Sequence, residues 1–482
     1  MTTNYSNPAP FTAEIPDLKM PTVLRLGLFN LGLGLMAVLT LAVLNRVMIT
    51  ELGIPATIAA TTLALSQLIA PIRVWLGQLS DGKKLFGLHR TGYIRTGIIL
   101  AGITILIALQ IVWFLGNQIE INNGWQWNFA TISACILLGI TFLLHGGALG
   151  MSSTPFTALL VDISEEEGRS KIVATIWSML MVGIVIGGVT GKISLDKLAI
   201  GDADNPLLTV ANLQAPINLL FMLVAIVVIF LAFIGTWKIE KTYSRYHLRS
   251  SALQREDSIG LKEALKVLTS SRQTAIFFFF LMMITTSLFM QESVLEPYGG
   301  DVFGMSIGDT TMLNSYWGIG ILIGYSLTGF FIVPRLGKIN TTRIGCVLVS
   351  ICFGLIILAG LTQQENVLKG AMVLFGVGAG VTTIGSLSLM LDLTVAETAG
   401  TFVGAWGLSQ AMARGIAIAS GGWVLDLGKL LFDNVWLSYS LVFFTESIII
   451  LLAILLLNQV DIKEFQESTR KATTLVMESD LD

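Results

Sequence analysis

VDISEEEGRSKIV at residues 161–173 and LDLTVAETAGTFV at residues 391–403 align without a gap, matching Asp162 with Asp392, Ser164 with Thr394, Glu167 with Glu397 and Val173 with Val403. Each is a polar interruption after the fourth apolar stretch of its half of the chain. A loop that recurs at the same place in two halves marks an internal duplication. A weaker pair, GQLSDGKKLFG from Gly77 and GFFIVPRLGK from Gly329, follows the second apolar stretch of each half. The second copy has lost the aspartate and kept a basic pair.

Working outward from these loops, the apolar stretches fall at 27–45, 54–79, 93–115, 129–150, 171–191 and 215–237. A second set lies at 274–292, 311–333, 342–361, 368–391, 400–424 and 437–458. Most reach the roughly 20 residues an α-helix needs to cross a bilayer. The chain is 54% hydrophobic and only 13% charged, about half the charge of a soluble domain. The expectation is an all-α membrane protein of twelve transmembrane helices in two six-helix halves. Its predicted parts are a cytoplasmic N-terminal segment (1–26), the first half (27–238), a cytoplasmic linker (239–273), the second half (274–458) and a cytoplasmic tail (459–482). Parallel six-helix repeats are the architecture of the major facilitator fold, whose substrate sites lie between the halves near the midplane.

Lys and Arg collect in the linker and in the loops holding Lys83, Lys84 and Arg90, Arg169 and Lys171, and Arg335, Lys338 and Arg343. Positive charge in short loops stays cytoplasmic, so both termini are expected there. A net charge of −3 argues against nucleic acid as a partner and leaves lipid as the surrounding medium. Cys135, Cys346 and Cys352 all lie in apolar spans and form neither a disulfide framework nor a CxxC metal motif. No metal site, hydrolytic triad or cofactor fingerprint is read, so an enzyme is not expected. The polar first twenty residues lack the apolar centre of a secretory signal.

Gly77, Leu79 and Asp81, followed by Lys83, Lys84 and Arg90, resemble the major facilitator signature between the second and third helices. That resemblance makes Asp81 a gate residue. RLGLFNLGLGLMAVLTLAVLNRVMITELGIPA (25–56), APIRVWLGQLSD (70–81) and HRTGYIRTG (89–97) are similar to PucC-like proteins, the bacteriochlorophyll delivery family of that superfamily. The resemblance implies a factor that delivers chlorophyll or bacteriochlorophyll, as cargo and not as a covalent cofactor, during assembly of light-harvesting complexes. Its implied partners are the pigment, antenna apoproteins or pigment-synthesis enzymes, in the thylakoid or cytoplasmic membrane of a phototroph. A proton- or sodium-coupled carrier of a small solute and a ligand-free assembly scaffold remain alternatives.

Ionisable groups inside membrane spans face partners or cavities. His145 is the one histidine well inside a helix. A neutral imidazole can ligate a chlorin magnesium, shuttle a proton, or hydrogen-bond a neighbouring helix. Asn30, Asn45 and Gln67 are candidates to line a cavity or join helices. Glu292 and Glu296 are read as carboxylates at a helix end, able to meet a macrocycle or solvent. Arg73 is expected to pair with Asp162 or Asp81. Gly77, Asp162, Glu167, Asp392 and Glu397 complete the gate and loop-motif set. Arg414 and Glu446, each about halfway along its span, are expected to pair with one another, with Glu446 a candidate for ion coupling. Arg46 and Glu51 read as snorkelling anchors, and Trp113, Trp125 and Trp127 as an interfacial aromatic belt. The phenylalanines at 277–280 suit lipid, a pigment groove or a partner equally. The glycine runs at Gly32, Gly183 and Gly376 read as close helix contacts and not as phosphate loops.

Overall fold

The computed structural model describes residues 18–164, 166–195, 210–244, 272–393 and 399–460. Most of the predicted linker, the tail and Glu397 lie outside these residues, as do the side chains of Asp81, Glu167 and Asp392.

Among the described residues the regular elements are helices, because a backbone in hydrocarbon must satisfy its own polar groups. The first half comprises α1 (Met20–Val38), α2 (Ala56–Leu68), α3 (Ile72–Gly82), α4 (Thr91–Ile121), α5 (Phe129–Ile163), α6 (Glu166–Leu195), α7 (Val210–Gly235) and the short α8 (Ile239–Tyr243). The second comprises α9 (Arg272–Phe289), α10 (Leu295–Phe303), α11 (Ile307–Leu327), α12 (Val333–Leu336), α13 (Lys338–Thr362), α14 (Glu365–Leu393), α15 (Ala399–Leu431) and α16 (Val435–Leu457). Nine helices among the described residues are long and apolar enough to cross a membrane. The broken pair α2–α3 and the helices α11 and α15 bring the crossings to twelve.

Three spans depart from the predicted pattern. The first begins at Met20 and runs to Glu51 through two π-helical segments, Leu39–Leu44 and Val47–Glu51. The second, expected as one helix, breaks between Leu68 and Ile72 at Pro71, which has no N–H to continue the ladder. The seventh passes from α9 through a 3₁₀ turn, Met290–Ser293, into α10. Irregular backbone at membrane depth is tolerated where protein buries it, and Met290, Gln291 and Ser293 are buried.

The duplication is visible in the packing. In the first half α1 lies against α6 and α7, α4 against α5 and α7, and α2 against α5. In the second, α9 lies against α15 and α16, α13 against α14 and α16, and α11 against α14, the same pattern moved on by six spans. The halves meet along two seams that exchange under the same operation, α2 with α15 and α6 with α11.

Small residues permit both kinds of contact. Within the second half Gly320 and Gly324 face Gly376 and Gly380, and a Cβ on Gly376 would stand 2.3 Å from the Trp317 carbonyl oxygen. Between the halves, a Cβ on Gly191 would stand 2.6 Å from Thr311 Cγ2. Because Gly376 meets main chain that cannot rotate away, Gly376→Val is expected to cost at least the roughly 1–3 kcal/mol typical of overpacking. Thermal unfolding in detergent should register it as a melting point several degrees lower; an unchanged melting point would contradict the packing described.

The phenylalanine run divides by helical periodicity: Phe277, Phe278 and Phe280 are buried and Phe279 faces outward. Trp113, predicted at the membrane interface, is buried instead, its Nε1–H donating to Asn218 Oδ1 on α7 at 2.9 Å. Its ring packs inward because α4 is covered by α5 and α7 at that level.

Candidate functional site

The first span ends on the distal face, and the described residues begin, at Leu18, and end, at Val460, on the opposite, proximal one. On the distal side the halves are joined by polar contacts that begin with Arg46, which is 1% exposed. Its Nη2 donates to the Met305 carbonyl at 2.8 Å and its Nη1 to Thr310 Oγ1 at 3.0 Å, both in the second half. Glu51 accepts from Arg46 Nη2 at 3.1 Å and neutralises it. The pair is therefore no snorkelling anchor: the irregular end of the first span turns Arg46 onto α10 and α11, away from the headgroups. Gly300 makes room for the guanidinium, since a Cβ there would lie 2.6 Å from Arg46 Cζ.

Asn45 Nδ2 donates to the Ser293 carbonyl at 2.8 Å. Asp426 on α15 accepts from the main-chain N–H groups of Ala56 and Thr57 at 3.2 and 2.7 Å, capping α2 from the opposite half. A carboxylate at a helix N-terminus meets both its unpaired donors and its dipole. Trp423 Nε1 donates to Thr61 at 2.9 Å, and Lys192 pairs with Asp309 across the other seam. Asp426, Asp309 and Lys192 were not singled out in the sequence; a lone acid or lysine near a span end carries no mark of the helix it will face. Glu296, expected at a solvated end, is buried and accepts from Asn314 Nδ2 at 2.6 Å, because the seventh span continues past the 3₁₀ turn.

The α2–α15 seam runs from Ala56 beside Gly422 to Leu68 and Ala64 beside Gly415. Arg414 and Arg73 stand at that end of it. Arg414 is 15 residues from Ala399 and 17 from Leu431, the middle of its helix. Its partner is not Glu446 but Glu292: Arg414 Nε donates to Oε2 at 2.9 Å and Nη2 to Oε1 at 2.5 Å, a bidentate pair. The guanidinium also lies 4.5 Å from the Phe289 ring centroid. Matching depth could not reveal this, since azimuth decides which helix a side chain meets. Glu446 is 0% exposed on α16 and neither carboxylate oxygen has a hydrogen-bond partner among the described residues. A Gln291 main-chain group lies close without meeting hydrogen-bond geometry.

Arg73 does not take Asp162. That carboxylate accepts from Arg90 Nε at 3.0 Å, and Arg90 Nη1 donates to Ser80 at 2.8 Å, which ties α3, α4 and α5 together on the proximal side. Glu240, where the first half ends, caps α4 by accepting from the N–H groups of His89, Arg90 and Thr91. Gly77 brings α3 against α5, where a Cβ would touch Thr154 at 3.4 Å. The roles proposed for Asp81, Glu167, Asp392 and Glu397 concern side chains outside the described residues.

The remaining candidates are scattered. His145 is 1% exposed between α4 and α5, with Nδ1 at 3.2 Å from the Ala101 carbonyl oxygen and 3.1 Å from Thr104 Oγ1. Asn30 Nδ2 donates to the Ile176 carbonyl at 3.3 Å, joining α1 to α6. Gln67 is half-buried in the last turn of α2, just before the break. The structure thus pairs Glu292 with Arg414 in the second half, with Arg73 of the first half near enough to Arg414 for their charges to interact, and leaves His145 and Asn30 inside the first half.

This architecture is shared with solved transporters. The nucleoside transporter NupG superposes with a TM-score of 0.65 at 15% identity, over 90% of this chain and 99% of NupG. A bacterial homologue of the iron transporter ferroportin, in an inward-facing state, superposes with a TM-score of 0.63 at 14% identity, over 92% of this chain and 99% of the homologue. These likenesses establish the major facilitator fold. In sequence, protein PucC of Cereibacter sphaeroides is 29% identical over 428 residues, 87% of this chain and 86% of that protein. The protein of Rhodobacter capsulatus named bacteriochlorophyll synthase 44.5 kDa chain is 27% identical over 442 residues, 89% of this chain and 93% of that one. The family described as PUCC protein matches residues 43–465, and on that match the chain belongs to the PucC family of major-facilitator-type membrane proteins.

Proposed function

We propose that this chain carries a chlorophyll-type pigment within the membrane of a phototroph and hands it to light-harvesting apoproteins during their assembly. Membership of the PucC family is the observation that carries this reading, and the name of the Rhodobacter capsulatus relative points to the same pigment class. The word synthase belongs to that relative; the role inferred here is carriage without catalysis. Between its polar contacts the α2–α15 seam is built of small and apolar residues, Ala56 and Ala60 beside Gly422 and Ala64 and Leu68 beside Gly415, which suits a cargo with a large apolar body. Gln67, Glu292 and Arg414, with Arg73, are the residues we assign to its polar edge. Both termini are assigned to the cytoplasmic side, where the basic loops collect.

The test is an absorption spectrum of the protein purified in mild detergent from a pigment-producing host, with an unrelated membrane protein as carry-over control. Stoichiometric chlorin above the control is expected in the native protein and in His145→Ala, because His145 already serves the packing of α4 on α5. Loss of pigment in that variant alone would move the site to His145. No chlorin above control would overturn carriage and leave a ligand-free scaffold or a solute carrier. One observation favours the latter: the buried, unpartnered carboxyl of Glu446 has the character of a proton-coupling group. Glu446→Gln would then abolish proton-driven uptake, whereas pigment carriage predicts unchanged chlorin content.

A further inference from the structure

At the proximal end of the α2–α15 seam a second guanidinium stands near an arginine–carboxylate pair. Arg414 is paired bidentately with Glu292, and its side chain keeps 31% exposure. Arg73 comes from the other half, in the first turn of α3 directly after the break at Pro71. Its stem lies on α5, where a Cβ on Gly150 would meet Arg73 Cγ at 3.0 Å, and its head is close enough to Arg414 for the two charges to interact. The side chain therefore reaches from the first half toward the second. Arg73 Nε is buried without a hydrogen-bond partner, and no carboxylate among the described residues pairs with this guanidinium. At nine residues from the end of α3 the group stands about 14 Å inside the helix end. An unneutralised cation at such depth, beside a second one, is costly to maintain without a counter-ion.

We propose that Arg73 is the anion site of this protein, receiving the single carboxylate of an otherwise apolar molecule held between the halves. A guanidinium is suited to this because its fork matches a carboxylate in two parallel hydrogen bonds. The Glu292–Arg414 pair sets the selectivity: Glu292 holds one positive charge in balance, so the site accepts one negative charge and disfavours a dianion. Applied to the pigment reading above, on which this step rests, the favoured ligand is the free-acid form of a chlorin and not its long-chain ester. The anion site itself stands without that reading, since a fatty acid or an acidic lipid headgroup offers the same chemistry.

The test is equilibrium binding to the purified full-length protein in detergent, with three probes followed by absorbance or fluorescence: a chlorin free acid, the same chlorin as its phytyl ester, and a fluorescent fatty acid. The free acid is expected to bind about tenfold or more tightly than the ester, in keeping with one charge-assisted bidentate contact. Arg73→Gln should lower acid binding to the level of the ester, and Arg73→Lys should retain part of the preference. Equal binding of acid and ester by the native protein overturns the proposal, and that comparison does not depend on any variant folding. An acid preference that survives Arg73→Gln overturns it as well. Arg73-dependent fatty-acid binding without chlorin binding supports the anion site while refuting pigment carriage. Displacement of the fatty acid by phosphatidylglycerol at matched concentration supports the site and identifies its source as a lipid headgroup.

Discussion

Glu292→Ala is expected to destabilise the protein by about 3 kcal/mol, the lower end of the range for removing one partner of a buried ion pair, because Arg414 keeps part of its side chain exposed. The loss has two origins. Arg414 would be left charged between α9, α15 and α2 with no other carboxylate supplied by the described residues. The seventh span would also lose the contact that fixes its 3₁₀ turn against α15. Thermal unfolding in detergent of Glu292→Ala, Arg414→Met and the double variant provides the measurement. A coupling energy above about 1 kcal/mol in that cycle is expected. Glu446→Gln should change stability by less than about 1 kcal/mol, since it removes no ion pair and keeps the shape of the side chain. Strong coupling of Arg414 to Glu446, with none to Glu292, would reverse the assignment.

Arg46→Met is expected to loosen the distal side. The substitution removes the hydrogen bonds that Arg46 makes to the second half, at Met305, Ser306 and Thr310, and leaves Glu51 without its cation. Charge-assisted hydrogen bonds contribute roughly 1.5–3 kcal/mol each, so the closed distal state should lose on the order of 3 kcal/mol. Such a change corresponds to a shift of about a hundredfold in any equilibrium between closed and open arrangements of that face. Disulfide trapping reads it directly. In a background without Cys135, Cys346 and Cys352, cysteines placed at Thr61 and Trp423, whose side chains meet across the seam, should cross-link efficiently, and less so once Arg46 is replaced. Undiminished cross-linking in the Arg46→Met protein would mean that Asp426 and the Lys192–Asp309 pair hold the face closed on their own.

Pro71 and Arg46 show how far reading along the chain can go. The second span is apolar throughout, so hydropathy joins 54–79 into one helix; the interruption follows from one imino acid whose effect is geometric, not hydrophobic. Arg46 sits at the end of an apolar run, where a long basic side chain would ordinarily reach the headgroups. It is buried because the helix that carries it unwinds into π turns and a neighbouring half supplies three oxygen acceptors. Asp162 is a comparable case. Its place in the repeated loop was legible, but its partner, Arg90, is 72 residues away and was chosen by the packing of α4 on α5.

Twelve apolar spans, their division into two similar halves and the membership suggested by the first three helices are properties of composition, spacing and local residue pattern. The amino-acid sequence by itself determined these, because burial of apolar side chains in lipid and internal satisfaction of the backbone act on each segment separately. The ion pairs, the capping of α2 by Asp426 from the other half and the isolation of Arg73 were decided only by the tertiary structure. Each depends on the rotation of one helix about its axis relative to another. That rotation is set by small residues such as Gly150, Gly300 and Gly415 on the opposing surface, and it leaves no periodic trace in the chain that carries the charge.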